Sequence, residues 1–393
     1  MTPAARVQAA IEVLDAVIEA AIAGGAPADR LISDYFRTRR YAGSKDRRAV
    51  RDLAFAAIRA CGPVPSSGRA AMLRLADIDE AIASLFDGSV HGPAAISQGE
   101  PVADGGIAAH WLVDALATSG VEGEEADALL DRAPLDIRVN TLKSDRETIA
   151  LPEETARTHA PQGLRLRHGT PVEQWDAFRD GLIEIQDTGS QLACLAVAAA
   201  PGETVIDLCA GAGGKTLALA AAMENRGTLL ACDTDRPRLS RLAPRAERAG
   251  AGMIETRLLN PQRELDALAD CVGRADTVVV DAPCSGTGTW RRNPEARWRL
   301  TPDRLERYAL TQQRLLDIAA ALVRPGGRIV YVTCSLLDAE GSDRIDQFLA
   351  DHPEWSADAV DLPLGRVRGK GWRLSPFHDG TDGFFIASLS RPC

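Results

Sequence analysis

From residue 181 onward the chain alternates apolar runs of strand length with segments of helical period. TVIDLCAGAGGKTLALAAAM (204–223) reads as strand, glycine-rich turn and helix. GTLLACDTD (227–235) is a second strand ending in acids, and DTVVVDAPC (276–284) a third, apolar on both faces. Residues 237–249 read as one helix, with Pro237 in its first turn, Gly250 past its end and Pro244 a threatened kink. A long helix opens at Thr301 and Pro302, with apolar groups at Leu305, Tyr308, Leu315, Ala319 and Leu322. After the turn RPGG (324–327), RIVYVTCS returns as a buried strand, and DGFFIASLS (382–390) supplies a late one. Strands joined through helices pair in parallel, because a crossover returns the chain to the same end of the sheet. The expected fold class is therefore α/β, a doubly wound parallel sheet over 181–393, and its ligands belong outside the carboxyl ends of the strands.

Upstream, the pattern differs. Val7, Ile11, Leu14, Ile18 and Ile22 form a helical stripe stopped by GGAP (24–27); residues 45–60 and 70–86 are again helical, and no strand signal precedes residue 125. Residues 1–125 are expected to form an all-α domain. LDIRVNTLK (135–143) and LRLRHGTPV (164–172) are strand-like, which predicts a small α/β connecting subdomain over 126–180. A chain of 393 residues suffices for several such cores.

The eight cysteines lie more than four residues apart, and the six histidines are scattered, so neither zinc knuckles nor a disulfide framework is expected, and no metal. No apolar run reaches the ~18–20 residues of a membrane span, and the N-terminus lacks a signal pattern; no membrane partner and a cytoplasmic location are the expectation. A net charge of −10 weighs against a surface wholly given to nucleic acid. Two basic stretches remain. RTRRYAGSKDRRAVR (37–51) reads as a solvated face, whereas WRRNPEARWRLTPDR (290–304) interleaves arginine with tryptophan and is expected to contact phosphates and stack on bases.

CAGAGGKT, comprising Cys209, Ala210, Gly211, Ala212, Gly213, Gly214, Lys215 and Thr216, follows a strand and opens a helix, so its backbone can approach a ligand and present free N–H groups. Three ligands are conceivable. A P-loop needs a glycine where Cys209 stands, although VVVD (278–281) mimics the strand and acid that hold magnesium in such proteins. A nicotinamide site prefers GxGxxG, which this turn does not give. S-adenosylmethionine needs a glycine turn beside its amino-acid part and an acid after the next strand for its ribose, a place Asp233 fills.

Cys284 and Cys334 favour the third reading, since both end buried strands and should reach the same crevice. C5 of cytosine is a poor nucleophile. A thiolate added at C6 turns the ring into an enamine whose C5 attacks a sulfonium methyl; loss of the C5 proton then expels the thiolate. An acid such as Asp281 assists by hydrogen-bonding N3. Cys194, Cys232 and Cys271 are expected to be packing thiols, and Cys209 to offer the ligand its backbone only.

DLCAGAGGKT, DAPCSGTG, YVTCS and DGFF, with IQDTGSQL (185–192) ahead of them, resemble the ordered motifs of RNA cytosine-5 methyltransferases of the bacterial Sun/RsmB type. ARVQAAIEVL and YFRTRRYAGSKDRRAV are similar to the NusB-like helical RNA-binding domain that precedes the catalytic domain in that subgroup. The resemblance implies a Rossmann-like methyltransferase sheet, S-adenosylmethionine as cofactor and RNA, most of all small-subunit ribosomal RNA, as partner. It implies Cys334 as nucleophile and Cys284 as the cysteine that helps release product. It places residues 209–215, Asp233 and Asp281 at the cofactor and active site, with Lys215 helping to orient the pyrimidine. Two positions depart from the family pattern: Ala212 stands where a proline is usual, and Asn260 where an aspartate usually meets the adenine amino group, a bond an amide oxygen can still accept. The segment around Arg138, Asn140 and Lys143 is expected to hold the RNA backbone, and the protein to be a monomer. A P-loop-like NTPase and a non-catalytic RNA-binding protein on the same scaffold are the competing readings.

Overall fold

The computed structural model describes residues 1–393 and divides into two compact units: Met1–Asp131 with Thr289–Pro302, and Arg132–Gly288 with Asp303–Cys393.

The first unit is helical, with main helices Pro3–Ala23, Ala28–Arg37, Ser44–Ala60 and Gly68–Ile78; no strand precedes Leu135. Thr2 caps the first helix, its Oγ1 accepting from Ala5 N at 3.2 Å. Val7, Ile11, Leu14 and Ile18 are buried as their spacing predicts, whereas Ile22, in the last turn before Gly24, is 73% exposed. Gly68 lets two helices meet backbone to backbone: a Cβ there would lie 2.2 Å from the Ile11 carbonyl oxygen.

The stretch 289–302 packs into this helical unit and corrects an expectation. Trp290, Arg291, Glu295, Arg297 and Trp298 are all buried, so they are not free to meet phosphates and bases. The reason lies in helix ends, whose last carbonyls lack partners. The Arg297 guanidinium donates to Ile58 O at 2.6 Å and also to Cys61 O, and Trp298 Nε1 donates to Gly62 O at 3.2 Å. Arg299 serves Gly25 O and Ala26 O at 2.8 and 2.7 Å, and Glu295 accepts from Ala28 N at 3.0 Å. Burial lowers the Arg297 pKa to about 10.

The second unit contains two sheets. Strands β1 (Leu135–Val139), β2 (Ala156–Arg157), β3 (Gly163–Leu166) and β4 (Ile183–Ile185) form a small antiparallel sheet in the order β2-β3-β1-β4. Ile137, Val139, Leu164, Leu166 and Ile183 pack there with Trp175.

The large sheet holds β5 (Thr204–Asp207), β6 (Thr228–Asp233), β7 (Ile254–Leu258), β8 (Ala275–Asp281), β9 (Val323–Thr333), β10 (Ser356–Asp358), β11 (Arg366–Arg368), β12 (Gly371–Leu374) and β13 (Phe384–Ser390). Its order is β11-β12-β13-β9-β8-β5-β6-β7, with β10 on β13. The five strands from β7 to β9 are parallel, and β13 runs antiparallel to β9. The expected doubly wound sheet is present, then, with an antiparallel margin. Val278, Val279, Val280, Ile329, Val330 and Val332 are fully buried, as strands covered on both faces require. Strand order reverses between β5 and β8, and such a switch point opens a crevice at the carboxyl ends.

Residues 237–249 are not one helix but two, Arg236–Leu239 and Leu242–Ala249. The break places Pro244 in a first turn, where its missing N–H removes no helical bond. Gly250, at φ 69°, ends the second helix as expected.

Candidate active site

Every predicted site residue of the large sheet lies at or just beyond a carboxyl end. After β5 the chain turns through Gly211 (φ 55°) and Gly213 (φ 86°) into the helix Gly214–Ala222. The turn is anchored to β6: Ala210 N donates to Cys232 O at 2.8 Å, and Gly211 N to Asp233 Oδ2 at 2.7 Å. The other Asp233 oxygen accepts from Asp235 N at 2.7 Å. Asp233 is 7% exposed, a carboxylate held firmly at the rim. Ala212, in the usual proline position, presents its carbonyl to Arg245 Nη1 at 2.6 Å, and Arg245 in turn pairs with Glu184 at 2.8 Å. An added Cβ would strike Leu242 at Gly213 but would meet nothing within 4 Å at Gly214. That open space beside a helix N-terminus, with an acid after the next strand, fits the amino-acid and ribose parts of S-adenosylmethionine. Asn260 is exposed just past β7, with no hydrogen bond of its own side chain, and Leu259 N ties this segment to Asp233 O at 2.9 Å.

Asp207, at the end of β5, is a further acid, the first residue of DLCAGAGGKT, to which the sequence assigned no role. Thr216 Oγ1 donates to its Oδ2 at 2.6 Å while Oδ1 is buried without a partner. Burial, against the Thr216 hydrogen bond, lifts this carboxyl to about 7. Burial and Asp207 likewise hold the Cys209 thiol well above its ordinary range. Lys215 Nζ reaches across to Asp281 Oδ2 at 2.8 Å and lies 5.4 Å from the Phe384 ring centroid. Burial works to lower the Lys215 pKa, but the Asp281 carboxylate outweighs it and the ammonium is held charged.

The two cysteines meet. Cys284 Sγ and Cys334 Sγ are 3.4 Å apart, each side chain partly accessible. The hydrogen bond to Cys334, then burial, raise the Cys284 thiol well above the usual range. Their loops are laced by the backbone: Ala282 N donates to Val332 O at 2.9 Å, Gly288 N to Cys334 O at 3.0 Å and Gly383 N to Gly288 O at 2.8 Å. Gly288 and Gly383 touch so closely that a Cβ on Gly288 would lie 2.2 Å from Gly383 O.

Side chains that the sequence did not mark complete the frame. Glu340, fully buried, bridges to Ser285 and Gln312. Its only sequence signal is an acid five residues beyond YVTCS. Gln186, in IQDTGSQL, donates to Gly214 O at 3.4 Å and to Cys194 Sγ at 3.7 Å. Asp187 Oδ1 caps Gly189 N at 2.8 Å and accepts from Asp382 N at 3.1 Å, so this motif joins DGFF. Cys194 borders the glycine turn, and burial pushes its thiol up to about 11. Cys232 is fully buried, and Cys271 lies 3.5 Å from Arg257 Nη1.

Of one expected group, two residues, Arg138 and Asn140, turn inward. Arg138 is buried and donates to Gln186 Oε1 at 2.7 Å. Asn140 is buried between Gly181 O and Ala249 O, at 2.8 Å each. Lys143 spends its ammonium on Asp180 O and Arg248 O at 2.9 and 2.7 Å. Arg138 and Asn140 thus satisfy a buried amide and backbone carbonyls instead of reaching for RNA, while Lys143 stays at the surface.

Residues 194–390 match the family described as 16S rRNA methyltransferase RsmB/F. The probable ribosomal RNA small subunit methyltransferase B of Synechocystis sp. (strain ATCC 27184 / PCC 6803 / Kazusa) is 36% identical over 299 residues, covering 72% of this chain and 66% of that protein. The ribosomal RNA small subunit methyltransferase B of Xylella fastidiosa (strain 9a5c) is 35% identical over 293 residues, 72% of this chain and 68% of its own length. The chain thus spans about two thirds of these relatives. Among solved structures, PH0851 superposes over 100% of this chain and 99% of its own with a TM-score of 0.76 and 25% identity. A methyltransferase homolog protein from Pyrococcus horikoshii covers 72% of this chain and 99% of its own at a TM-score of 0.60 and 27% identity.

Proposed function

The chain belongs to the RsmB/F family of 16S rRNA methyltransferases, and from that premise we propose that it methylates C5 of a cytosine in small-subunit ribosomal RNA, using S-adenosylmethionine and a covalent cysteine adduct. The observation that carries this reading is the 3.4 Å approach of Cys284 and Cys334 beside the glycine turn. Residues 209–215 would line the cofactor, Asp233 would accept from its ribose hydroxyls and the Asn260 amide oxygen from its adenine amino group.

The target base must leave its stack to reach the crevice. Cys334 attacks as thiolate, forming an S–C6 bond and pushing the C5–C6 electron pair into the ring. Lys215, whose ammonium lies 2.8 Å from the Asp281 carboxylate that orients it, can donate a hydrogen bond to the charge displaced toward N3 and so orient the pyrimidine. S-adenosylmethionine, when bound, supplies the electrophilic methyl that the enriched C5 takes up. Loss of the C5 proton to solvent leaves its electron pair to re-form the C5=C6 bond, the S–C6 bond breaks with its electrons on sulfur, and Cys284, 3.4 Å away, offers a proton to the departing thiolate. In the helical unit, exposed cations of the stretch 37–51 are assigned to the RNA backbone.

The test is transfer of labelled methyl groups to RNA, with nucleoside mass spectrometry for 5-methylcytidine. Cys334→Ala should neither methylate nor trap RNA, whereas Cys284→Ala should accumulate a denaturation-resistant protein–RNA adduct. Wild-type turnover in Cys334→Ala would remove Cys334 from the chemistry.

A further inference from the structure

The cysteine loops are held together by more than their sulfurs. Ser285 directly follows Cys284 and Ser335 directly follows Cys334, and the two serine hydroxyls lie 3.2 Å apart. Thr287 Oγ1 lies 3.2 Å from the same Ser335 oxygen and accepts from Leu336 N at 2.8 Å. At the centre is Glu340. Its Oε1 accepts from Ser285 N at 2.8 Å and from Gln312 Nε2 at 3.2 Å, and its Oε2 accepts from Ser285 Oγ. Gln312 also donates to Pro283 O at 3.0 Å, which grips the loop on the other side of Cys284. The Glu340 backbone is fixed from β9, its carbonyl accepting from Tyr331 Oη at 2.9 Å.

We propose that Glu340 is a positioning residue: its buried carboxylate pins the segment carrying Cys284 to the strand end carrying Cys334, and so sets the distance across which the two sulfurs exchange a proton. This rests on the cysteine chemistry proposed above and adds to it a residue that touches neither sulfur. A carboxylate suits the place because the groups facing it can all donate. No cation pairs with it. A buried acid satisfied only by neutral donors is a poor device for stability, since an apolar residue of similar volume would avoid the cost of desolvation. What only an acceptor of this shape provides is the simultaneous grip on Ser285 and Gln312.

The test reads the sulfur pair directly. Diamide takes two electrons and two protons from adjacent thiols and leaves a disulfide, and peptide mass spectrometry without reduction reports the Cys284–Cys334 link. Glu340→Ala should slow formation of this link by about tenfold or more, the scale on which small misplacements act. Glu340→Gln keeps an oxygen for Ser285 N and Gln312 and turns its amide N–H toward Ser285 Oγ, so it should restore the wild-type rate. In methyl-transfer assays Glu340→Ala should lower kcat while leaving the KM for RNA and the affinity for S-adenosylmethionine unchanged. Should Glu340→Ala fail to fold, as judged by circular dichroism, Ser285→Ala decides, because it removes only the hydroxyl part of the clasp: slower linking supports the proposal and an unchanged rate overturns it. Equal linking rates in folded Glu340→Ala and wild type overturn it as well. The diamide arm needs no methyl transfer, so loss of the cytosine reading would leave it standing.

Discussion

Asp207 shows how a single residue can set a pH dependence. Its carboxyl is buried at the end of β5 with one oxygen bonded to Thr216 and the other unpartnered, and burial lifts it to about 7. In the unfolded chain the same group titrates near its ordinary value of 3.8. The folded pKa is the higher one, so the contribution to stability is complete below the unfolded value, declines as pH rises and is lost by the folded value. Asp207→Asn removes this titration. The variant should therefore gain on wild type between pH 4 and about 7 and hold the gain above. A tenfold change in proton affinity between the two states corresponds to ~1.4 kcal/mol, so a gain of ~2–4 kcal/mol is the expected scale. Urea unfolding midpoints of both proteins across this range check it, and parallel curves would show that Asp207 titrates alike in both states.

At the scale of the element, the glycine turn separates folding from binding. Gly213 lies at φ 86°, and a Cβ there would come within 2.0 Å of Leu242 Cδ1, so Gly213→Ala should destabilise by ~1–3 kcal/mol. Gly214 begins a helix, and its added Cβ would meet nothing. Gly214→Ala should thus fold at least as well as wild type, yet place a methyl in the space assigned to S-adenosylmethionine. Calorimetric titration should show weakened cofactor binding for both variants, with lost urea stability only for Gly213→Ala. Undiminished affinity in Gly214→Ala would move the cofactor away from this turn. The turn was legible because glycines between a strand and a helix have few other uses, and β8 and β9 because valine and isoleucine runs announce strands buried on both faces. Other features were not. The break at residues 240–241 depends on where Pro244 can be tolerated, which periodicity does not encode. Glu340 became visible only through its partners, 28 and 55 residues away in the chain. The arginines and tryptophans of 290–299 carry the composition of a nucleic-acid face, but carbonyls at helix ends in distant segments claim Arg297, Trp298 and Arg299 first. Composition cannot tell a donor used inward from one left outward.

For the whole molecule the difficulty is charge. A protein of net charge −10 gains no general attraction for a polyanion, and at physiological salt distant charges are screened. Binding to RNA must therefore draw on a local excess of cations. With Trp290, Arg291, Arg297 and Trp298 buried, Arg138 and Asn140 turned inward and Lys143 engaged on two carbonyls, the stretch 37–51 is the strongest remaining source: seven basic residues against one acid, Asp46. That acid is itself consumed, by Arg6 at 2.9 Å and the N-terminal amine at 3.2 Å. Arg37, Arg39 and Arg51 pair with Asp34, Glu12 and Asp29, whereas Arg40, Lys45 and Arg48 are exposed and pair with no carboxylate. Free cations release counterions when they meet phosphates, and each such contact on single-stranded RNA contributes about 0.7 to the slope of log affinity against log salt. The double variant Arg40→Ser, Arg48→Ser should accordingly weaken RNA binding at low salt and flatten that slope by about 1.4, twice the single-contact value. Both residues are exposed, so unfolding midpoints and affinity for S-adenosylmethionine should stay unchanged. Filter binding over a salt series decides. An unaltered slope would mean that RNA is held elsewhere, with the exposed Arg236, Arg238 and Arg241 after β6 as the next source of backbone contacts.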